Sequence, residues 1–259
     1  MSKTLWIFGD SYADTSLFDH DRVWINQLAK KLNYKLKNIS MLGCSQDFPC
    51  QMLADHASDI SQDDQVIIVS TSPGRFWFFE DLPEITNPNV IFTNTKNTEK
   101  LIGKDRARVA EMYFKYLQRP QLDILHSTLR LGWLNHMAVT HGWKPPLIIF
   151  GFFQFTLSCS KYPNLILSNG NLTDNISEPE VEPNGHLFKG SDPRYNHLCL
   201  RNHDVLSNKI YNTLVDNQSL DLTQGFHTKL ISKKSLHDNE WANEELCVPA
   251  YLKFKNGYK

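Results

Sequence analysis

Short, unbroken apolar runs alternate along this chain with stretches whose apolar residues recur every three or four positions. Leu5-Trp6-Ile7-Phe8, Val66-Ile67-Ile68-Val69 and Leu147-Ile148-Ile149-Phe150 are the clearest runs. Runs this short and this apolar read as buried strands, predicted over residues 4–8, 65–70 and 147–152. A weaker second strand is predicted over 34–41. Helical spacing appears over 23–32, where Trp24, Leu28, Ala29 and Leu32 share a face, and over 200–214, where Val205, Leu206, Ile210 and Leu214 do. Helices are also predicted over 48–58, starting near Pro49, and over 105–117, with Pro120 as an interruption. Helical spacing resumes over 121–141, and Gly142 ends it. Strands that are apolar on both faces, with helices between them, predict an α/β fold with a mostly parallel sheet covered on both sides.

Between these elements the pattern weakens. Residues 82–98 are rich in Pro, Asn and Thr, and 168–190 form a polar stretch that reads as a long loop. Beyond residue 216 periodicity is weak. No internal repeat or flexible linker is present. The organisation expected is one domain over 1–215, with insertions at about 80–145 and 168–190. Residues 216–259 then extend the same domain.

Composition narrows the function classes. A chain of 259 residues, 41% hydrophobic, can bury a sizeable core without staples. With 27 basic and 28 acidic residues the net charge is −1, which argues against nucleic-acid binding and electrostatic docking on a membrane. No apolar run reaches membrane-spanning length and no leader pattern opens the chain, so a cytoplasmic setting is expected. The five cysteines are odd in number and lack a Cys-x-x-Cys pair, so reduced thiols are expected. No phosphate-cradling glycine loop occurs, and His136 and His141 are wrongly spaced for a shared metal.

The candidate chemistry begins at Phe8-Gly9-Asp10-Ser11-Tyr12, where the first apolar run ends abruptly. Ser11 is predicted at the carboxyl end of a strand, on the first turn of a following helix. Open α/β sheets put their sites there, and a helix N-terminus offers N–H groups to an oxyanion. Ser11 is either a nucleophile or a helix N-cap. A nucleophilic serine needs a base, and His197 is the best placed of ten histidines, in Asp192-Pro-Arg-Tyr-Asn-His197 just before the last helix. Asp192 is the carboxylate near it; His203, inside that helix, reads as structural. Arg75 either binds an anionic substrate or pairs with Glu80 or Asp81. The Phe76-Trp77-Phe78-Phe79 cluster lines a pocket or packs in a core or interface.

These segments, in this order, resemble the GDSL or SGNH hydrolases, a superfamily of flavodoxin-like esterases. Phe8-Gly9-Asp10-Ser11 matches the first block of that family. Asn38-Ile-Ser-Met-Leu-Gly43-Cys-Ser45 looks like the second. The third block, normally Gly-x-Asn-Asp, is replaced here by Val69-Ser70-Thr71-Ser72-Pro73-Gly74-Arg75. The last, normally Asp-x-x-His, is stretched to Asp192 and His197. The resemblance implies a three-layer α/β/α fold and a serine esterase for small acyl esters, such as O-acetyl groups of a carbohydrate. It implies Ser11 as nucleophile, His197 as base and Asp192 as its orienting acid. Backbone N–H groups of Ser11 and Gly43 form the oxyanion hole, with a hydroxyl of Thr71 or Ser72 in place of the absent asparagine. Asp10 is implied as a structural residue behind the serine. The partner implied is a small-molecule or carbohydrate ester, with no metal or organic cofactor. The missing asparagine leaves a non-catalytic structural or sugar-binding protein as an alternative, and the same triad also suits acyl transfer to a sugar. The Ser-Pro-x-Arg-aromatic run and Asn171-Leu-Thr-Asp-Asn-Ile-Ser-Glu look like a divergent, often bacteriophage-encoded branch. That branch would set the chain in a host cytoplasm or a virion.

Overall fold

Each unbroken apolar run becomes a strand with both faces covered. The computed structural model describes residues 2–15, 21–41, 43–71, 73, 75, 99, 103–151, 161–175 and 197–227. The strands are β1 (Thr4–Gly9), β2 (Lys35–Ser40), β3 (Gln65–Ser70), β4 (Leu147–Phe150) and β5 (Ile166–Leu167). The helices are α1 (Trp24–Leu32), α2 (Asp47–Asp55), α3 (Lys104–Met112), α4 (Pro120–His141) and α5 (Leu200–Asp216). The described strands form one sheet in the order β2-β1-β3-β4-β5, and every neighbouring pair is parallel. This is the flavodoxin-like order of a doubly wound sheet.

Side-chain alternation along the strands builds two cores. Leu5, Ile7, Ile67, Val69, Leu147 and Ile149 face α1 and α5, meeting Trp24, Leu28, Leu206 and Ile210. Trp6, Phe8, Val66, Ile68, Ile148 and Phe150 face the other way, toward Leu53 of α2 and Leu131, Leu134 and Ala138 of α4. The three layers expected from sequence are therefore present. β2 buries only Ile39 and carries Lys35 and Lys37, as suits an edge strand.

Several boundaries differ from the predicted ones for local reasons. Pro120 does not interrupt a helix but starts α4, at the position where a missing N–H costs nothing. Gly142 closes that helix in the left-handed region (φ 64°), as predicted. The single helix predicted over 105–117 is α3 followed by a wider π-type turn, Tyr113–Leu117. The stretch after 168 does not open as a solvated loop. It makes a 3-10 turn, Leu172–Asn175, with Leu172 fully buried. The start of the weakly periodic tail also belongs to the core. Leu220 and Leu222 pack with Leu172 against the α1–α5 side, and Asn175 Nδ2 donates to Leu222 O at 2.8 Å.

Asp64 fastens the two central strands at their amino ends. Its carboxylate accepts from Thr4 N at 2.7 Å, Ser61 N at 3.0 Å and Trp6 Nε1 at 3.1 Å. Burial pushes this carboxyl up, but the hydrogen bonds from Ser61, Thr4 and Trp6 together outweigh it and hold its pKa below the usual range. A depressed folded-state pKa adds stability that is complete above the unfolded value of about 3.9 and is lost as pH falls through the lower folded value. Asp64→Asn is expected to lose about 2 kcal/mol at neutral pH. It is also expected to flatten the loss of stability below about pH 4. Urea unfolding at pH 7 and pH 3 checks both; equal acid sensitivity in the two proteins would refute the assignment.

Candidate functional site

Because the strands are parallel, their carboxyl ends open on one edge of the sheet. The chain runs from β1 to β2 on one side, then crosses to β3 on the other. The crevice between β1 and β3 at that edge is the topological switch point, where such folds bind ligands. Ser11 follows β1 there and is buried, 6% exposed. It does not stand on the first turn of a regular helix, as the sequence predicts. Asp10 O accepts from Ala13 N at 3.0 Å and from Asp14 N at 2.9 Å, which closes one isolated turn. The first described helix begins at Trp24. Any help to an oxyanion here comes from local N–H groups rather than from a helix dipole.

That turn is held on several sides. Trp24 Nε1 of α1 donates to Tyr12 O, and Asn38 Nδ2 of β2 donates to Ala13 O, both at 2.8 Å. Before the turn, β1 and β3 approach so closely that a Cβ on Gly9 would lie 2.8 Å from Val69 Cβ. Only glycine fits without displacement. Asp10 is fully buried; its Oδ1 accepts from Tyr12 N at 3.1 Å, as expected of a structural residue behind the serine.

His197 comes from the other end of the described chain. It stands just before α5, with Leu198 buried in the α1–α5 core beside it. Its imidazole, 5% exposed, lies on the Tyr12 ring with centroids 4.9 Å apart and planes tilted by 32°. The structure thus brings the residue after Ser11 into contact with His197. His203 lies within α5, buried. Asp192 and Ser72 lie outside the described residues, as do Glu80, Asp81 and the 76–79 aromatic cluster.

Gly43 follows β2 on the same edge, buried, with a left-handed φ of 72° that favours glycine. Thr71, at the end of β3, is buried, and its Oγ1 accepts from Arg75 Nη1 at 2.7 Å. Arg75 Nη1 also donates to Cys44 O at 3.1 Å and lies 3.5 Å from Asp10 Oδ2. The guanidinium therefore cross-links the segments that follow β1, β2 and β3, a role the sequence reading did not contain.

Gln46 is a second residue the sequence reading missed. Its Nε2 donates to Thr71 O at 2.6 Å and to Ser70 Oγ at 3.2 Å. Its Oε1 accepts from Arg130 Nη1 at 2.9 Å, and Arg130 Nε and Nη2 both reach Asp47 Oδ1, at 3.0 and 2.6 Å. This chain ties the β3 end to α2 and α4. No local pattern marks Gln46, because its partners Ser70, Thr71, Ser127 and Arg130 are all distant in sequence.

Cys44 is the nearby rival nucleophile, and its environment rules against it. Burial pushes its thiol pKa well up, the Asp10 carboxylate adds to this, and its Sγ lies 3.4 Å from Gly9 O, to which it donates. A protonated, buried thiol is inert at neutral pH. Cys50 is likewise pushed up to about 12 by burial. Cys44, Cys50 and Cys199 are free thiols. Among the described residues no group of His, Cys, Asp and Glu is arranged to hold a metal ion, and no helix is long and apolar enough to cross a membrane.

The strand order and the two-sided core define a doubly wound α/β protein of flavodoxin type, with Ser11 and Gly43 following the carboxyl ends of β1 and β2. No protein-family model matches the chain, and no curated protein does. It is similar to the crystal structure of TesA, with 13% sequence identity and a TM-score of 0.44, over 83% of this chain and 100% of that one. It is also similar to a structure described as "a putative SGNH hydrolase from Slackia heliotrinireducens". There the identity is 10% and the TM-score 0.34, over 80% of this chain and 98% of that one.

Proposed function

We propose that this chain is a serine-dependent hydrolase of small acyl esters, a divergent relative of the GDSL/SGNH enzymes, with O-acetyl groups of a carbohydrate as its substrate class. The observation that carries this reading is the contact between the Tyr12 and His197 rings. It brings the Ser11 turn and the His197 loop to one strand edge, at the switch point of the sheet.

In this reading Ser11 Oγ attacks the ester carbonyl while His197 accepts the hydroxyl proton. The imidazolium returns that proton to the leaving alcohol as the tetrahedral intermediate collapses to an acyl-serine. Water, deprotonated by the same imidazole, then attacks the acyl-serine, and the imidazolium gives that proton to Ser11 Oγ as the carboxylic acid is released. Asp192 orients the imidazole. The N–H groups of Ser11 and Gly43 face the developing oxyanion, each such donor contributing about 3 kcal/mol of barrier lowering. A hydroxyl of Thr71 or Ser72 stands in for the absent asparagine. A threonine hydroxyl that accepts from Arg75 keeps its own proton for donation, and the guanidinium makes that proton more acidic.

A fluorophosphonate probe tests this directly. It is expected to label the folded protein at Ser11, and short-chain aryl esters are expected to be turned over. Absence of both would remove the enzymatic reading and leave a binding protein on the same fold.

A further inference from the structure

Gln46 precedes α2, where a polar side chain ordinarily caps the first turn. Here it does not cap. Ser45 Oγ accepts from Asp47 N at 3.2 Å instead, and the buried Gln46 side chain reaches the end of β3. Removing a primary amide from water is unfavourable unless its hydrogen-bonding groups find partners. These do. Nε2 has two hydrogens and bonds Thr71 O and Ser70 Oγ; Oε1 has two lone pairs and accepts from Arg130 Nη1 and, at 3.4 Å, from Ser127 Oγ. The amide therefore has one orientation. Flipped, it would set Oε1 against Thr71 O and its NH2 against the Arg130 guanidinium, and both contacts are repulsive. Asp47 Oδ1 accepts from Nε and Nη2 of Arg130, which fixes that guanidinium in turn.

Thr71 is the residue this arrangement holds. It stands one residue past the ladder between β3 and β4, which ends at Ser70 and Phe150. Its carbonyl takes from Gln46 the bond that a strand neighbour gives inside the sheet. Its hydroxyl is held separately, by Arg75. A side chain branched at Cβ has few χ1 rotamers, so a fixed Thr71 backbone also fixes the direction of Oγ1. The same Arg75 nitrogen donates to Cys44 O and faces Asp10 Oδ2. The Thr71 hydroxyl therefore lies close to Cys44 and Asp10, the sequence neighbours of Gly43 and Ser11.

We infer, resting on the ester-hydrolase reading above, that Gln46 is a positioning residue. By fixing the Thr71 carbonyl it aims the Thr71 hydroxyl at the oxyanion, in place of the asparagine side chain that this sequence lacks. Gln46 itself touches no reacting atom, since both hydrogens of Nε2 are committed within the fold. A donor displaced by about 1 Å costs about a hundredfold in rate. The loss falls on kcat, because the developing oxyanion accepts a hydrogen bond more strongly than the ground-state carbonyl does.

Steady-state kinetics on a short-chain aryl ester, for the wild-type chain, Gln46→Glu, Thr71→Val and the double variant, tests this. Gln46→Glu keeps the length of the side chain and its bonds from Arg130 and Ser127, but brings an acceptor instead of a donor to Thr71 O. It is expected to lower kcat about 30-fold with KM within about twofold of wild type. Thr71→Val keeps the shape and removes the hydroxyl, and is expected to lower kcat about a hundredfold. In the Thr71→Val background, Gln46→Glu is expected to cost less than about threefold more, because the group it aims is gone. A residue that only supports the fold would give the same further loss in both backgrounds. Should circular dichroism show Gln46→Glu unfolded, Gln46→Met, uncharged and without either bond, replaces it in the same cycle with the same expectations. A wild-type kcat in the Gln46 variant, or losses that multiply in full, overturns the inference, while turnover by the wild-type chain leaves the hydrolase reading in place. A wild-type chain that neither turns over the ester nor takes the fluorophosphonate label overturns both.

Discussion

Ser11→Ala is expected to abolish ester hydrolysis, lowering kcat by at least about four orders of magnitude. The size follows from how the site divides its work. In the proposed mechanism the histidine, the oxyanion donors and the substrate contacts remain in the variant, but no alcohol is left to form the acyl intermediate. Water attacking directly recovers little of the rate. The change removes one oxygen and leaves the turn held by Asp10 O, Trp24 and Asn38, so the variant is expected to fold. The measurement is kcat on a short-chain aryl ester, with unfolding of the variant followed in parallel. Intact-mass spectrometry under rapid quench should show an acyl adduct on the wild-type chain and none on the variant. A folded Ser11→Ala protein that still hydrolyses the ester at the wild-type rate would sink the proposed mechanism.

Arg75→Met is expected to have the largest effect on stability, a loss of about 3 kcal/mol. The Arg75 side chain is 12% exposed and that of Asp10 0%, so the charge facing Asp10 Oδ2 is screened little by water. Methionine matches much of the volume but leaves the buried carboxylate facing no cation, and the bonds to Cys44 O and Thr71 Oγ1 go with it. Such a truncation costs far more than the net contribution of the intact pair, because the desolvation of the remaining charge is no longer offset. Adding Asp10→Asn to Arg75→Met should therefore recover part of the loss, and the double-mutant cycle measures how much belongs to the pair. Denaturant unfolding of the four proteins gives the numbers. A loss under about 1 kcal/mol for Arg75→Met, or purely additive effects, would show that the ion pair does not hold the turn.

The two predictions probe different levels of the same site. Ser11 stands out in the sequence because an apolar run ends in Gly-Asp-Ser, a signal carried by adjacent residues. The clamp that Arg75 and Gln46 make was not found. Arg75 reaches Asp10 and Cys44, and Gln46 reaches Ser127 and Arg130, through neighbours that exist only once the strands are in order. Glu80 and Asp81, the partners that the sequence suggests for Arg75, are its near neighbours in the chain. In a parallel sheet the residues following neighbouring strands come together whatever their separation in sequence, and such contacts leave no local period.

The fold divides in the same way. β3 was read with its observed limits, and β1, β4, α1 and α5 to within two residues, because a strand buried on both faces must be apolar throughout and a half-buried helix must repeat every three or four residues. Pro120 was misread because one residue type serves both to stop a helix and to begin one, and the side on which the apolar face continues decides between them. β5 is two residues long, and Leu220 and Leu222 are flanked by polar neighbours. Periodicity has nothing to act on in segments so short. Consecutive residues alone determined the main strands and helices and that the sheet is parallel, since those properties follow from backbone geometry and the water-avoiding side of each element. Only the tertiary structure decided that Ser11 sits on an isolated turn, that Tyr12 meets His197, and that one guanidinium ties three strand ends, because each depends on the order in which strands lie beside one another.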